Sequence, residues 1–190
     1  MGIKIESVQL NGLTVITPDV FTDERGFFME VYREDQFRAA GLPWQFVQDN
    51  HSRSSKGVLR GMHFQWNPPQ GKLVRVTQGT AYLAWIDIRK GSPSLGKWFG
   101  LEISAEKKTM VYVPHGFANG FCVLSDVAEI QYKCTGIYNR TCEGNILWND
   151  PDVGIAWPLA SPILSERDRT APTLKQWLAS PAAEQFIFKK

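Results

Sequence analysis

Eight short segments rich in β-branched and aromatic residues follow one another between residues 13 and 150, each closed by a turn signal: LTVITPDVF, GVLRGMHFQ, KLVRVTQG, TAYLAWIDIR, KTMVYVPHGF, GFCVLSD, VAEIQYKC and GNILWND. Short apolar runs at such close spacing read as the strands of an all-β fold. Within LAWIDI both alternating faces are apolar, which fits a sandwich or barrel better than a sheet with one wet face. The expected architecture is therefore a jelly-roll β-sandwich or barrel. Two helices interrupt the pattern: REDQFRAAGL (33–42), with Gly41 as its stop, and TLKQWLA (173–179) near the C-terminus. Edge strands of a jelly roll need cover, and an N-terminal segment exchanged with a second subunit would supply it, so a homodimer is expected.

Size and charge narrow the function classes. A chain of 190 residues fits one domain, 1–190, with a substantial core. No stretch approaches the ~20 apolar residues of a membrane span, and MGIKIESVQLNG lacks the basic and apolar regions of an export signal, so a cytoplasmic protein is expected. The net charge of +2 is dispersed rather than gathered into the basic stripe of a nucleic-acid binder. Cys122, Cys134 and Cys142 form an odd set without CxxC spacing, which argues against a disulfide framework or a thiolate zinc site.

The densest polar cluster lies in residues 48–76, where Arg60, His63, Gln65 and Lys72 sit among glycines and β-branched residues. Taken alone, His63 reads as a hydrogen-bonded core histidine and Arg60 and Lys72 as solvated. Arg60 and His63 have opposite parity on a regular strand, so both face one cavity only if Gly61 hosts a bulge or the strand ends there. A metal-dependent cupin oxygenase would need converging ligands. The chain offers only His51, His63 and His115, with no HxH pair, so no metal is expected. Arg25 and Glu30 in FTDERGFFME read either as a surface turn or as an arginine aimed at an anion. On its own residues, LSERDR (164–169) reads as a polar loop, and Tyr132 as a buried hydroxyl that satisfies a backbone group.

Taken in order, FTDERGFFME, FVQDNHSRSSKGVLRGMHFQ, PQGKLVRVTQG, VPHGFANGF, YKCTGIY, GNILWNDPDVGIAWP and LSERD resemble the dTDP-4-dehydrorhamnose 3,5-epimerase family, a metal-free branch of the cupin jelly rolls. The likeness runs from about residue 5 to residue 175. It implies an isomerase that needs no cofactor and acts on a nucleotide-linked 4-keto-6-deoxyhexose. In that resemblance His63 is the general base, Asp168 orients it, Tyr132 donates a proton on the opposite face of the sugar, and Lys72 stabilises the enolate oxygen. Arg25, Glu30, Gln48, Asp49, Asn50, Arg60, Asn119, Tyr138, Glu143 and Arg167 correspond to substrate-contacting positions. Arg167 is a lysine in many relatives. The chemistry is coherent: a C4 ketone acidifies the protons at C3 and C5, and return of a proton to the other face inverts the centre.

Two positions depart from the family pattern. Where relatives usually read GFAHGF and DVAVD, this chain reads GFANGF and LAWID, so a family histidine becomes Asn119 and a family aspartate becomes Leu83. Leu83 and Trp85 share a strand face, which implies a smaller and less polar pocket. Loss of the two ionisable groups together leaves no uncompensated buried charge. The expected consequence is an altered sugar or inversion at a single centre. The alternative is that Asn119 still donates a hydrogen bond to the sugar carbonyl and nothing changes. Other functions compatible with the residues are a ketoisomerase and a noncatalytic nucleotide-sugar binder.

Overall fold

The computed structural model describes residues 2–188 except Gln9 and Asn11. Its strands, in chain order, are β1 (Ile3–Ser7), β2 (Thr14–Pro18), β3 (Val20–Asp23), β4 (Gly26–Met29), β5 (Gln48–Ser55), β6 (Leu59–Gln65), β7 (Lys72–Gln78), β8 (Thr80–Asp87), β9 (Trp98–Ser104), β10 (Met110–Val113), β11 (Phe117–Val123), β12 (Val127–Cys134) and β13 (Glu143–Asn145). The helices are α1 (Glu34–Ala39), α2 (Glu166–Arg169) and α3 (Leu174–Leu178). A six-stranded sheet in the order β1-β2-β10-β7-β12-β5 faces a five-stranded sheet in the order β13-β6-β11-β8-β9, and β3 and β4 form a separate hairpin. Every pairing between named strands is antiparallel. The jelly roll expected from the strand rhythm, of the cupin type that the resemblance implies, is the fold observed.

Parity along the strands explains the three-layered burial. Leu83 and Trp85 of β8, with Val74, Val111 and Ile130, fill the space between the sheets. Ala84 and Ile86, their neighbours along β8, point the other way, onto Met62, Phe64, Trp177 and Phe186. The C-terminal segment thus covers the outer face of the five-stranded sheet, with the Trp177 ring edge-on to Phe64 at 4.6 Å. On the opposite outer face, Phe37 of α1 and Leu42 pack on Ile16, Leu73 and Met110. Each such buried side chain contributes roughly 1.5–3 kcal/mol of transfer free energy.

The expected helices appear in trimmed form. α1 stops at Ala39, and Gly41, at φ +70°, lets the chain reverse so that the Leu42 amide reaches the Phe37 carbonyl. α3 begins at a capping box in which Thr173 and Gln176 satisfy each other's backbone amides. LSERDR corrects the polar-loop reading. It forms the one-turn helix α2, capped by the Ser165 side chain, which accepts from the Asp168 amide at 3.2 Å. Among the described residues no helix is long and apolar enough to cross a membrane.

Candidate active site

A cavity of about 160 Å³ opens between the sheets. Arg60, His63, Lys72, Asn119 and Tyr132 supply its polar lining, and Val74, Leu83, Trp85, Phe121 and Ile130 its apolar wall. His63 comes from β6 of the five-stranded sheet; Lys72 and Tyr132 come from β7 and β12 of the six-stranded sheet. The histidine and the tyrosine therefore stand on opposite walls of the cavity.

The parity problem between Arg60 and His63 is resolved by a bulge. Phe121 of β11 pairs with Arg60 and Asn119 pairs with His63, so Gly61 and Met62 together oppose the single Gly120. Gly61 sits at φ +138°, and a Cβ there would lie 2.5 Å from the Gly120 Cα, so only glycine fits. Met62 turns into the outer core while Arg60 and His63 both reach the cavity.

His63 Nε2 lies 2.6 Å from the Asp168 Oδ1 oxygen. The Asp168 side chain is 3% exposed, so it meets the ring out of water. Burial works to raise the Asp168 pKa, but the hydrogen bond and charge of His63, the Ser165 hydroxyl and the Gly61 amide outweigh it and hold the carboxyl below its ordinary value. An ionised carboxylate at Nε2 favours the tautomer with the proton on that nitrogen, which leaves Nδ1 with a free lone pair.

Lys72 Nζ stands 5.4 Å from the centre of the Tyr132 ring. Burial pushes the Lys72 pKa down, opposed by the negative sides of Cys134 and Glu143. Burial likewise pushes the Tyr132 phenol up, reinforced by Cys134 and Glu143, so it keeps its proton at neutral pH. Arg60 is exposed at the cavity mouth, with its Nε donating to Ser54 Oγ at 3.1 Å.

The remaining sequence candidates divide. Gln48 and Asn50 share the Ser52 face of β5 and are joined by a 3.0 Å hydrogen bond; Gln48 also accepts from the Tyr138 amide at 2.7 Å. Asp49 has the opposite parity and pairs with Lys133 at 2.9 Å on the outer face. Glu143 accepts from Tyr138 Oη at 2.9 Å and from Arg167 Nη1 at 2.6 Å. Burial opposes ionisation of Glu143, but those two bonds and the Arg167 charge prevail and lower its pKa. Arg25 lies on the β3–β4 hairpin with its side chain 82% exposed and paired to Asp23, and Glu30 pairs with Arg33 at 3.3 Å. Neither lines the cavity of its own chain.

Asn119 lies in the cavity wall. Its Nδ2 donates to the Phe117 carbonyl at 2.9 Å and to the His63 carbonyl at 3.3 Å, and its Oδ1 is buried without a partner. The reversed amide would set oxygen against two carbonyl oxygens, so this orientation is the one the surroundings favour. Both N–H donors are thus engaged with the protein backbone, and Asn119 remains part of the cavity lining. Leu83 and Trp85 do line the cavity, with Trp85 stacked on Phe99 at 6.2 Å.

Sequence reading passed over Ser52, Val74, Phe121 and Ile130 as lining residues, although parity from Asn50, Lys72, Asn119 and Tyr132 along their strands marks each of them. It also passed over Asn145, which pairs in register with His63 and donates from Nδ2 to the Arg167 carbonyl at 3.0 Å. Among the described residues no group of three or more His, Cys, Asp or Glu side chains could hold a metal ion.

Residues 7–176 match the family model described as dTDP-4-dehydrorhamnose 3,5-epimerase. Two curated relatives with that name are each 48% identical. The one from Neisseria gonorrhoeae aligns over 99% of this chain, which spans only 57% of that relative's length. The one from Shigella flexneri aligns over 87% of this chain and 93% of its own. Among solved structures, the dTDP-6-deoxy-D-glucose-3,5-epimerase from Legionella pneumophila Philadelphia 1, in complex with dTDP-4-keto-L-rhamnose, superposes with a TM-score of 0.92. It is 42% identical, with 99% of both chains covered.

Proposed function

The chain belongs to the dTDP-4-dehydrorhamnose 3,5-epimerase family of isomerases, and from that premise we propose that it inverts C3, C5 or both of a nucleotide-diphosphate-linked 4-keto-6-deoxyhexose in deoxysugar biosynthesis. The proposed substrate is dTDP-4-keto-6-deoxyglucose. The observation that carries this reading is the placement of a carboxylate-bound histidine and a protonated tyrosine on opposite walls of one cavity, with a lysine beside the tyrosine.

In the proposed reaction His63 Nδ1 removes the proton at C3 or C5, and the C–H electrons move onto the C4 oxygen to give an enolate. Asp168 stabilises the imidazolium that forms. The Lys72 ammonium lies where it would favour the oxyanion. Tyr132 then gives its proton to the carbon from the opposite face; the phenolate regains a proton, and His63 releases one, through solvent. Arg60 at the mouth suits the diphosphate, because a guanidinium fork matches its oxygens. A noncatalytic binder would have no use for a histidine paired with a buried carboxylate.

The proposal includes a homodimer acting in the cytoplasm. Its support is the β3–β4 hairpin, which exposes Phe21, Phe27 and Phe28 and carries Arg25 away from its own cavity. The apolar wall of Leu83 and Trp85 favours a second reading on the same scaffold, in which only one centre is inverted or the ketone is moved to C3.

Incubation with dTDP-4-keto-6-deoxyglucose in D2O separates these readings. Deuterium is expected at C3, C5 or both, and its loss in His63→Ala is expected too. One labelled position marks a single-centre epimerase, and a shifted ketone signal by NMR marks a ketoisomerase. Absence of label at both carbons with the unmodified enzyme would sink the epimerase reading.

A further inference from the structure

The helix that carries Asp168 is too short to hold itself. α2 has four residues, whereas isolated helices shorter than ~12–15 residues are marginal in water. Its place must be set from outside; the Gly61 amide holds the Asp168 carboxylate, and two further contacts fall on one peptide unit. The Arg167 carbonyl accepts from Asn145 Nδ2 at 3.0 Å, and the Asp168 amide of that same peptide donates to Ser165 Oγ at 3.2 Å. The planar peptide between Arg167 and Asp168 is therefore gripped at both polar ends. A third grip acts on the neighbouring side chain, where Arg167 Nη1 donates to Glu143 Oε2 at 2.6 Å.

Two of the three grips come from β13. Asn145 pairs with His63 and Glu143 with Gln65, so the strand is in register with the residue that Asp168 must meet. Asn145 and Glu143 are two residues apart and share a face, which directs both side chains to α2.

We propose that Asn145 and the Glu143–Arg167 ion pair are positioning elements: β13 clamps α2 in register with His63, and Asn145 acts on the reaction through Asp168 rather than through the substrate. This rests on the reading of His63 as the base. It also reassigns Glu143 and Arg167, which the family resemblance implies as substrate contacts, to a pair whose charges are already committed to each other. The Asp168 carboxylate meets His63 at 2.6 Å, and a displacement of about 1 Å in such an arrangement can lower a rate by ~100-fold.

The test compares Asn145→Ala and the nearly isosteric Asn145→Asp with Asp168→Ala and with the Asn145→Ala/Asp168→Ala double variant. Deuterium exchange rates, pH profiles and the NMR signal of the proton on His63 Nε2 are followed, with melting curves as a check on folding. Asn145→Asp keeps the volume, removes the donor and sets a negative charge against the Arg167 carbonyl, so it serves as the displacing variant where alanine fails to fold. Each single Asn145 variant is expected to lose about 10–100-fold in kcat with KM little changed. The pH profile of Asn145→Ala should change in the same way as that of Asp168→Ala, because in both the carboxylate no longer meets the ring. The double variant should be no slower than Asp168→Ala alone, since a residue that acts only through Asp168 has nothing left to act on. The His63 Nε2 proton should shift upfield or broaden, and that readout stands even if the enzyme exchanges no deuterium at all. Additive losses, or an unchanged His63 proton with a raised KM, would overturn the proposal and return Asn145 to a substrate contact.

Discussion

Lys72 is the residue on which charge, burial and proposed chemistry meet. Burial lowers its pKa from the ordinary 10.5, so between the folded value and 10.5 the unfolded chain binds more protons than the native one. Stability rises with pH across that window, because the slope follows the excess of protons bound when unfolded. Activity runs the other way: as pH climbs through the folded value the ammonium loses the charge that would favour an oxyanion. Lys72→Met is accordingly expected to flatten the alkaline rise in stability, measured by urea unfolding as the pH is raised toward 10.5. It should also reduce turnover by roughly 100–1,000-fold, the usual cost of removing one such donor. An alkaline rise as steep in the variant as in the parent would show that Lys72 does not cause it. The neighbouring positions 83, 85 and 119 show what was and was not legible at this scale. The apolar wall at Leu83 and Trp85 follows from strand parity and is there in the cavity. The hydrogen bonds of Asn119 did not follow, because its donors turn to the Phe117 and His63 carbonyls, and an amide's choice among acceptors depends on a backbone geometry that a sequence does not carry.

At the scale of elements, the bulge in β6 is what lets one short strand present both Arg60 and His63. Its need was legible, since two polar residues three apart cannot share a strand face and a glycine lies between them. Gly61→Ala would put a Cβ 2.5 Å from the Gly120 Cα at φ +138°, and backbone, unlike a flexible side chain, cannot step aside. The expected loss is roughly 2–4 kcal/mol of stability, read from the denaturant midpoint, with activity falling further than stability as His63 is turned from the cavity. A midpoint shift under ~0.5 kcal/mol, within the range of a neutral surface change, would mean that the bulge tolerates a side chain. Other elements were less legible for definable reasons. β5 reads QDNHSRSS, polar on both faces, so no apolar contrast fixed which of Gln48, Asp49 and Asn50 point inward. α2 is one turn long, too short to show a 3.6-residue period, and it exists where it does because β13 and Ser165 hold it.

For the whole molecule, the hairpin is the feature that a single chain leaves unexplained. Phe27 is 56% and Phe28 59% exposed, and Arg25 and Glu30 stand apart from the cavity of their own chain. An exposed aromatic ribbon of this kind marks an interaction surface, and closed twofold symmetry would let each protomer deliver the same ribbon to the other. On the proposed homodimer, Arg25 and Glu30 of one protomer serve the cavity of its partner. Subunit mixing tests this without any change to the hairpin aromatics. Arg25→Ala and His63→Ala homodimers should each be nearly inactive. After exchange to equilibrium half of the dimers are mixed. Each mixed dimer then has one cavity with both defects and one with neither, so about a quarter of the unmodified activity should return. If Arg25 served its own cavity, every site in every mixture would carry one defect and no activity would return. Recovery must also fall on dilution below the dimer dissociation constant, since a site completed by two chains cannot outlast their association. Sedimentation of the same mixtures reports that constant independently, and activity that persisted in a monomeric sample would refute the shared site.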